Sequence, residues 1–230
     1  MRTPTRFIFL GAPGVGKGSF TAIIAPQLGL ATVGVGDLVR DEIKQGSEVG
    51  KQLKAFSDSG QLAPDQAINH LVKRRLEQHD AAKGFILDGF PRNLTQAAWM
   101  ESAGIGIDKV INVTLPEWVT VTKMAARRHC PECRRSFNVA DVNSDGYKMP
   151  KILPDFDGCD RGVRCPGSVD KLERREDDTE DIIRRRLAVH LSETAPLINL
   201  YKEKGLLRGF AVRRGIQDKD ALIKLMLSSE

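Results

Sequence analysis

The sequence predicts an α/β fold in which a parallel five-stranded sheet is flanked by helices and carries two inserted subdomains. Three observations support this prediction. Short apolar segments alternate with helical ones along most of the 230 residues. A glycine-rich turn directly follows the first apolar segment. Two polar stretches then interrupt the alternation, which indicates insertions into one compact core.

Five short apolar runs are predicted to form the strands of the sheet. They lie at residues 6–10, 31–35, 85–87, 110–115 and 210–212. Between them, the pattern predicts helices at residues 19–28, 65–79 and 94–102. A further helix should begin near Asp178 or Thr179 and bury Ile183, Leu187 and Leu191 on one stripe.

The two interruptions divide the chain into a core and two insertions. Residues 36–64 are polar and mainly helical in pattern, whereas residues 127–175 contain all four cysteines and show little periodicity. Long segments of this kind inside a compact domain are commonly functional, for example as lids. The predicted core therefore comprises residues 1–35, 65–126 and 176–230.

Composition and charge exclude few functions. The net charge of +5 suits a polyanionic ligand, but it suits nucleic acid or an acidic membrane surface equally well. The apolar runs are far shorter than the ~20 residues that cross a bilayer, so no membrane association is expected. The first six residues leave no room for a signal peptide before the first strand. We therefore expect an intracellular protein, in the cytoplasm or alternatively in an organelle matrix such as that of the mitochondrion.

The sequence GAPGVGKGS at residues 11–19 is typical of a phosphate-binding loop, because it joins a strand to a helix. Its glycines allow successive backbone N–H groups to point at phosphate oxygens, and the helix N-terminus adds a favourable dipole. Lys17 would contact the outer phosphates and the Ser19 hydroxyl would bind Mg²⁺. The strict pattern has Ser or Thr directly after the lysine, whereas here Gly18 intervenes.

Four motifs in this order resemble those of the adenylate kinase family in its long-lid form. They are GAPGVGKGS at 11–19, GDLVR at 36–40, GFILDGFPR at 84–92, and REDD at 175–178 followed by Arg186. The resemblance implies a P-loop NTPase-type core, with residues 36–64 as the AMP-binding insertion and residues 127–175 as the lid. It also implies reversible Mg²⁺-dependent phosphoryl transfer, in which ATP and AMP give two ADP.

The resemblance also implies roles for individual residues. The catalytic cations would be Lys17, Arg92, Arg127, Arg175 and Arg186, because guanidinium groups bind phosphate bidentately and stay charged. ATP would be bound by Gly14, Val15, Gly16, Lys17, Gly18, Ser19, Arg127, Ser136 and Phe137. AMP would be bound by Arg40, Gln61, Leu62, Ala63, Gly89, Phe90, Pro91, Arg92, Gln96, Arg175 and Arg186. Asp88 and Ser19 would hold Mg²⁺, largely through water.

The cysteines indicate a metal site in the predicted lid. Cys130 and Cys133 have the spacing of a zinc knuckle, but Cys159 and Cys165 are separated by five residues instead of two. Structural zinc bound by all four is the first interpretation, and a metal-free lid and a disulfide are the alternatives. Four thiolates would close the coordination sphere, so such a zinc would have no catalytic position.

Some departures from the family pattern leave the substrates open. Val35 replaces a threonine on the AMP side, and Lys123 stands where an arginine commonly stacks on the donor base. GTP:AMP phosphotransferase or another nucleoside monophosphate kinase is therefore the alternative activity, although UMP and CMP kinases resemble the short-lid form. Acidic residues around the cysteines argue against a nucleic-acid partner, and a non-catalytic switch would require loss of the arginines. The family's usual state, a monomer, is expected.

Overall fold

The centre of the protein is a parallel sheet covered by helices. A computed structural model describes residues 5–133, 135–154 and 169–228. Its strands are β1 Arg6–Leu10, β2 Ala31–Gly34, β3 Phe85–Asp88, β4 Lys109–Thr114, β5 Arg127–His129, β6 Ser136–Asn138, β7 Val142–Ser144, β8 Tyr147–Met149 and β9 Leu207–Ala211. The central sheet has the order β2-β3-β1-β4-β9, and its neighbouring strands are all parallel. The predicted fold class is confirmed.

Helices connect these strands. They are α1 Lys17–Leu28, α2 Val35–Gln45, α3 Glu48–Ser59, α4 Asp65–Leu76, α5 Leu94–Ser102, α6 Glu117–Ala125, α7 Glu180–Val189, α8 Pro196–Glu203 and α9 Lys219–Leu227. Between α7 and α8 lies a π-helical turn, His190–Thr194. Antiparallel β5–β6 and β7–β8 form two small sheets within the predicted lid. No helix in the described ranges is long and apolar enough to cross a membrane.

β1 and β3 are buried along most of their length because both faces of the sheet are covered. Successive side chains of a strand point to opposite faces. Phe7 and Phe9 of β1 accordingly pack in one cluster with residues of α1 and α9. Ile8 and Leu10 pack on the other face, in a cluster with residues of α4, α5 and α8. The two clusters fix the sheet and thereby the loops that follow its strands.

The predicted buried stripe of the helix α7 is wrong at its last residue, Leu191. Thr179 caps α7, since its Oγ1 accepts a bond from the Ile182 N–H, and Ile183 is fully buried as expected. Leu191, however, is 69% exposed. Leu191 is the second residue of the π-helical turn and lies beyond the end of α7 at Val189, so the α-helical periodicity that predicted the stripe does not extend to it.

Candidate active site

A cavity of about 510 Å³ opens where β1, β2 and β3 end. In open parallel sheets, ligands bind at the carboxyl ends of the strands, at the point where the strand order reverses. Here β1 lies between β3 and β4, so the loop after β1 is at such a point. The size of the cavity is typical of small-molecule sites.

The loop after β1 is shaped by close contacts with its neighbours. Gly14 has a φ of 88°, and a Cβ atom there would lie 2.3 Å from Met124 Cγ of α6. Only glycine therefore fits at this position. The Lys17 ammonium donates to the carbonyl oxygens of Gly11 at 2.7 Å and Ala12 at 2.9 Å. These two bonds hold the positive charge beside the turn of the loop.

The Lys17 ammonium is destabilised by its surroundings. Burial lowers its pKa to about 8, and the positive charges of Arg92, Arg186 and Arg127 act in the same direction. The Asp88 carboxylate opposes them. An anionic ligand that binds here would therefore relieve an excess of positive charge.

Asp88 ends β3 beside the start of α1. A Cβ atom at Gly18 would lie 3.1 Å from Asp88 Oδ2, which gives a physical reason for glycine directly after Lys17. Burial raises the pKa of Asp88, whereas the charge of Lys17 lowers it. A carboxylate and the Ser19 hydroxyl are the oxygen ligands that Mg²⁺ prefers. Both residues line the cavity, so this corner fits the ion.

Arg92 is fixed from three sides. Its Nε donates to the Gly89 carbonyl oxygen at 2.9 Å, and its backbone N–H donates to Gln96 Oε1 at 2.7 Å. The Thr194 hydroxyl, on the π turn, donates to the Arg92 carbonyl oxygen at 2.8 Å. Burial, and next the charge of Arg186, lower the Arg92 pKa to about 10. The guanidinium is thus held in place close to like charges.

Two adjacent carboxylates hold the arginines of the opposite wall. Arg127 forms a bidentate ion pair with Asp178, which is fully buried. Arg186 donates to Asp177 Oδ2 at 2.7 Å. Burial would raise the pKa of Asp177, but Arg186, Arg127 and other arginines together hold it below its ordinary value. Both carboxylates therefore orient guanidinium groups, and the lowered pKa keeps Asp177 ionised.

The cavity brings together side chains from distant parts of the chain. The cations that line it include Lys17, Arg40, Arg92, Arg127, Arg175 and Arg186. Arg40 also pairs with Asp37 at 2.6 Å, and Arg175 donates to the Ser136 hydroxyl at 2.9 Å. Such a concentration of positive charge suits phosphates, for which arginine offers a planar, bidentate donor.

Comparison with known proteins places the chain in a family. Residues 9–206 match the family model described as adenylate kinase. The chain belongs to the adenylate kinase family. It is 39% identical to an adenylate kinase of Caldicellulosiruptor saccharolyticus over 206 residues, covering 88% of this chain and 89% of that protein. A GTP:AMP phosphotransferase of Plasmodium falciparum (isolate 3D7) is 38% identical over 226 residues, covering 97% and 96%. An adenylate kinase of Solanum tuberosum is 38% identical over 221 residues, covering 93% and 73%.

As in the family pattern, nearly all residues expected to bind nucleotide line this one cavity. They are Gly14, Val15, Gly16, Lys17, Gly18, Ser19, Arg40, Gln61, Leu62, Ala63, Asp88, Gly89, Pro91, Arg92, Gln96, Arg127, Ser136, Phe137, Arg175 and Arg186. The Phe90 side chain instead lies in the core, edge-on to Trp99 at 5.9 Å. That these residues bind nucleotide, and which nucleotide each of them binds, stay predictions.

The cysteines of this adenylate kinase family member are only partly placed. Cys130 and Cys133 are buried in a small cluster with Phe137 and Leu172, and the Cys133 N–H donates to Cys130 Sγ at 3.4 Å. Cys159 and Cys165 lie outside the described residues. In the parts of the chain that the structure describes, no three His, Cys, Asp or Glu side chains are grouped to hold a metal. The zinc site stays a prediction.

Sequence reasoning missed the residues that position the arginines and Gln96. Asp177 and Asp178 belong to the REDD motif, but the motif does not say which arginine each one contacts. Asp65 accepts bonds from Asn93 and Gln96, and Thr194 holds Arg92. Asp65, Asp178 and Thr194 lie 28 to 102 positions from these partners along the chain, so no local pattern reveals their contacts.

Proposed function

We propose that the protein catalyses reversible Mg²⁺-dependent transfer of the terminal phosphoryl group of ATP to AMP, which gives two ADP. One observation carries the proposal: cationic side chains from separate elements, Lys17, Arg92 and Arg186 among them, converge on a single cavity that is also lined by the glycine-rich loop after β1. Two nucleotides that meet there would bring about six negative charges, so phosphoryl transfer depends on this concentration of positive charge.

The donor would bind along the loop after β1. Backbone N–H groups of Gly14 to Ser19 and the Lys17 ammonium would hold its phosphates. Ser136 and Phe137 would contact the donor from the predicted lid. Mg²⁺, when bound, neutralises charge on the donor phosphates, and Asp88 and Ser19 are the residues that would hold it, largely through water.

The acceptor would bind between the predicted AMP-binding insertion, residues 36–64, and the loop after β3. Arg40 and Arg92 would clamp its phosphate, while Gln96 and residues 61–63 would contact the base. Arg127, Arg175 and Arg186 would then surround the transferred group. Because this transfer needs little covalent chemistry from the protein, positioning and charge stabilisation supply most of the rate.

Exclusion of water follows from the same arrangement. The cavity is lined both by core residues and by residues of the two predicted insertions, residues 36–64 and residues 127–175. Closure of these segments over the nucleotides would keep water from the transferred group, so that AMP accepts it.

GTP is a second candidate donor, and the donor side of the cavity supplies a reason. Lys123, where an arginine commonly stacks on the donor base, donates to the carbonyl oxygens of Ala140 at 3.1 Å and Met149 at 3.3 Å. Its ammonium thus binds carbonyl oxygens of the predicted lid. The similarity to a GTP:AMP phosphotransferase supports testing this donor.

The activity is tested by mixing the protein with Mg²⁺, one donor and one acceptor and following the diphosphates formed. ATP and GTP are compared as donors, and AMP, UMP and CMP as acceptors. We expect ATP with AMP to be fastest, and Lys17→Ala or Arg92→Ala to lower kcat/KM by about 10²- to 10³-fold. Arg184→Ala is the control, because Arg184 is exposed and pairs only with Glu180 among the described contacts.

Three results would change the proposal. Turnover with GTP and not ATP would replace the donor, and turnover only with UMP or CMP would replace the acceptor. Absence of turnover with every pair, despite tight ATP binding, would reject the enzymatic function.

We also propose that the four cysteines bind one structural zinc. The burial of Cys130 and Cys133 side by side supports this. Elemental analysis of the purified protein is expected to give about one zinc per chain. Cys130→Ser should abolish the zinc, and a zinc-free wild-type protein with two reactive thiols at these positions would contradict the proposal.

A further inference from the structure

The side-chain amide of Gln96 is held on both of its ends. Gln96 lies in the first turn of α5 and is 1% exposed. Its Nε2 donates to Asp65 Oδ1 at 2.8 Å, and its Oε1 accepts the Arg92 N–H at 2.7 Å. Turning the amide over would set its oxygen against a carboxylate and its NH₂ against an N–H. Both contacts would become repulsive, so only one orientation is stable.

Asp65 is itself held in place. It is the first residue of α4, where the helix dipole favours a negative charge. The Asn93 Nδ2 donates to the same Asp65 oxygen at 3.0 Å. Asn93 also caps α5, because its Oδ1 accepts the Gln96 N–H at 2.8 Å. Asp65, Asn93 and Gln96 thus form one network between α4 and α5.

The network leaves Gln96 with a defined hydrogen-bonding pattern. A primary amide has two N–H donors and two oxygen lone pairs. Asp65 uses one donor and Arg92 uses one lone pair, so one of each is left, in a fixed spatial order. Gln96 lines the cavity, whose lining also includes the apolar residues Val35, Leu53, Leu62, Ala63 and Ile68.

The order of a donor and an acceptor distinguishes two classes of purine. Adenine presents an amino donor at position 6 beside an acceptor at N1. Hypoxanthine and guanine present an oxo acceptor at position 6 beside an N1–H donor. A freely rotating amide would turn over to match either class. An amide that cannot turn over matches one class in a given pose and leaves unsatisfied polar groups with the other.

We infer that Asp65 is a positioning residue that sets the base specificity of the acceptor site. By holding Gln96 in one orientation, it selects 6-aminopurine over 6-oxopurine nucleoside monophosphates. This inference rests on the proposed function, since it requires that the acceptor base contacts Gln96. Val35 offers no side-chain hydrogen bond to the acceptor, so the order fixed at Gln96 carries more of the selection.

The test compares AMP with inosine monophosphate, which differs only in the purine edge that faces the amide. kcat/KM is measured for both acceptors with one donor, in the wild type and in Asp65→Ala. The wild type should prefer AMP. Asp65→Ala should lower the ratio of the two kcat/KM values by about ten- to a hundredfold, because the amide is then held only by the Arg92 N–H and can turn over to match inosine monophosphate at the cost of one hydrogen bond.

A matched control separates this role from general helix stabilisation. Asp220→Ala also removes a carboxylate from the first turn of a helix, α9, where Asp220 is exposed and pairs with Lys219. In Asp220→Ala, the ratio of kcat/KM for AMP to kcat/KM for inosine monophosphate should equal that of the wild type. If Asp65→Ala does not fold, Asp65→Leu keeps a similar volume but offers no acceptor to Gln96 or Asn93, and the ratio should still fall severalfold.

Each outcome decides between the two proposals. If Asp65 variants lower kcat/KM for both acceptors in parallel and leave the ratio unchanged, Asp65 is only structural and the inference is rejected, while the proposed function stands. If the wild type phosphorylates neither acceptor, the proposed function and the inference fail together.

Discussion

Lys17 is a charged side chain whose position in the cavity changes its acidity. Burial and the nearby arginines lower its pKa to about 8. In the free protein, Lys17 therefore loses its proton as the pH rises through about 8, and donor phosphates lose a charged partner. Bound phosphates stabilise the ammonium and raise that pKa again. We expect kcat/KM for the donor to fall above about pH 8, and kcat to fall only at higher pH.

The measurement is a pair of pH profiles, one for kcat/KM and one for kcat, at constant ionic strength. A kcat/KM that stays level through pH 8 and above would show that Lys17 remains charged in the free protein, or that its charge is not needed for binding.

The lowered pKa of His190, at the start of the π turn, predicts how the free energy of unfolding depends on pH. Burial first, and then the charges of Lys17 and Arg92, lower its pKa from 6.5 to about 4. Between about pH 6.5 and pH 4, the unfolded chain binds a proton here that the folded protein does not. The contribution of neutral His190 to the free energy of unfolding is therefore present above about pH 6.5 and is lost as the pH falls from about 6.5 to about 4.

The expected result is that His190→Gln loses less unfolding free energy than the wild type between pH 7 and about pH 4.5, as measured by urea denaturation. His79→Gln is the control, because His79 is exposed. Equal losses in the wild type and His190→Gln would contradict the prediction.

The residues differ in how readily the sequence reveals them. Lys17 and Arg92 belong to local motifs whose spacing alone indicates phosphate binding, and both line the cavity. The sequence does not reveal the contacts of Asp65 and Asp178, although Asp178 belongs to the REDD motif, because their partners Gln96 and Arg127 lie 31 and 51 positions away along the chain. Aspartate near a helix start is common, so only the folded contacts distinguish these two from surface carboxylates.

At the scale of elements, strands were easier to predict than helix register. The run at 6–10 forms β1 as expected, since a short apolar run beside a glycine turn has few other stable conformations. The exposure of Leu191 was missed because periodicity assumes α-helical geometry throughout. The start of β9 was also missed: Leu207 and Arg208 precede the run at 210–212, and an edge strand with a charged residue has a weak apolar signal.

The π turn has a positional role that predicts the effect of one mutation. It places the Thr194 hydroxyl 2.8 Å from the Arg92 carbonyl oxygen. Thr194→Val keeps the shape but removes the donor, so we expect a loss of about 1–2 kcal/mol in unfolding free energy. The KM for AMP should also rise, because Arg92 is held less firmly. Urea denaturation and steady-state kinetics measure the two effects.

Thr122→Val is the matched control for this substitution. Thr122 is exposed, and its hydroxyl donates to the Trp118 carbonyl oxygen within α6. Its change in unfolding free energy should stay within about 0.5 kcal/mol. If Thr194→Val behaves like Thr122→Val in both measurements, the hydroxyl has no role in holding Arg92.

At the scale of the whole molecule, the β7–β8 hairpin docks the predicted lid onto the core. Tyr147 lies edge-on to Trp118 at 6.0 Å, and the Arg213 guanidinium lies 4.7 Å from its ring centre. The Lys148 N–H donates to the Arg213 carbonyl oxygen at 2.9 Å. Met149 packs in the core cluster beside α1 and α9. The donor side of the cavity is therefore covered in part by this docked hairpin.

The fraction of molecules in which the β7–β8 hairpin is packed on the core should determine the affinity for the donor. The aromatic and cation–π contacts of Tyr147 contribute about 1–2 kcal/mol together, so Tyr147→Ala should weaken donor binding about five- to thirtyfold. Acceptor binding should change much less, because the hairpin contacts only the donor side. Lys148→Ala is the control, since it keeps the backbone bond and alters only an exposed side chain. Calorimetric titration with each nucleotide measures both affinities. Equal weakening of donor and acceptor would mean that Tyr147 stabilises the molecule as a whole, and that the hairpin does not act as a cover for the donor.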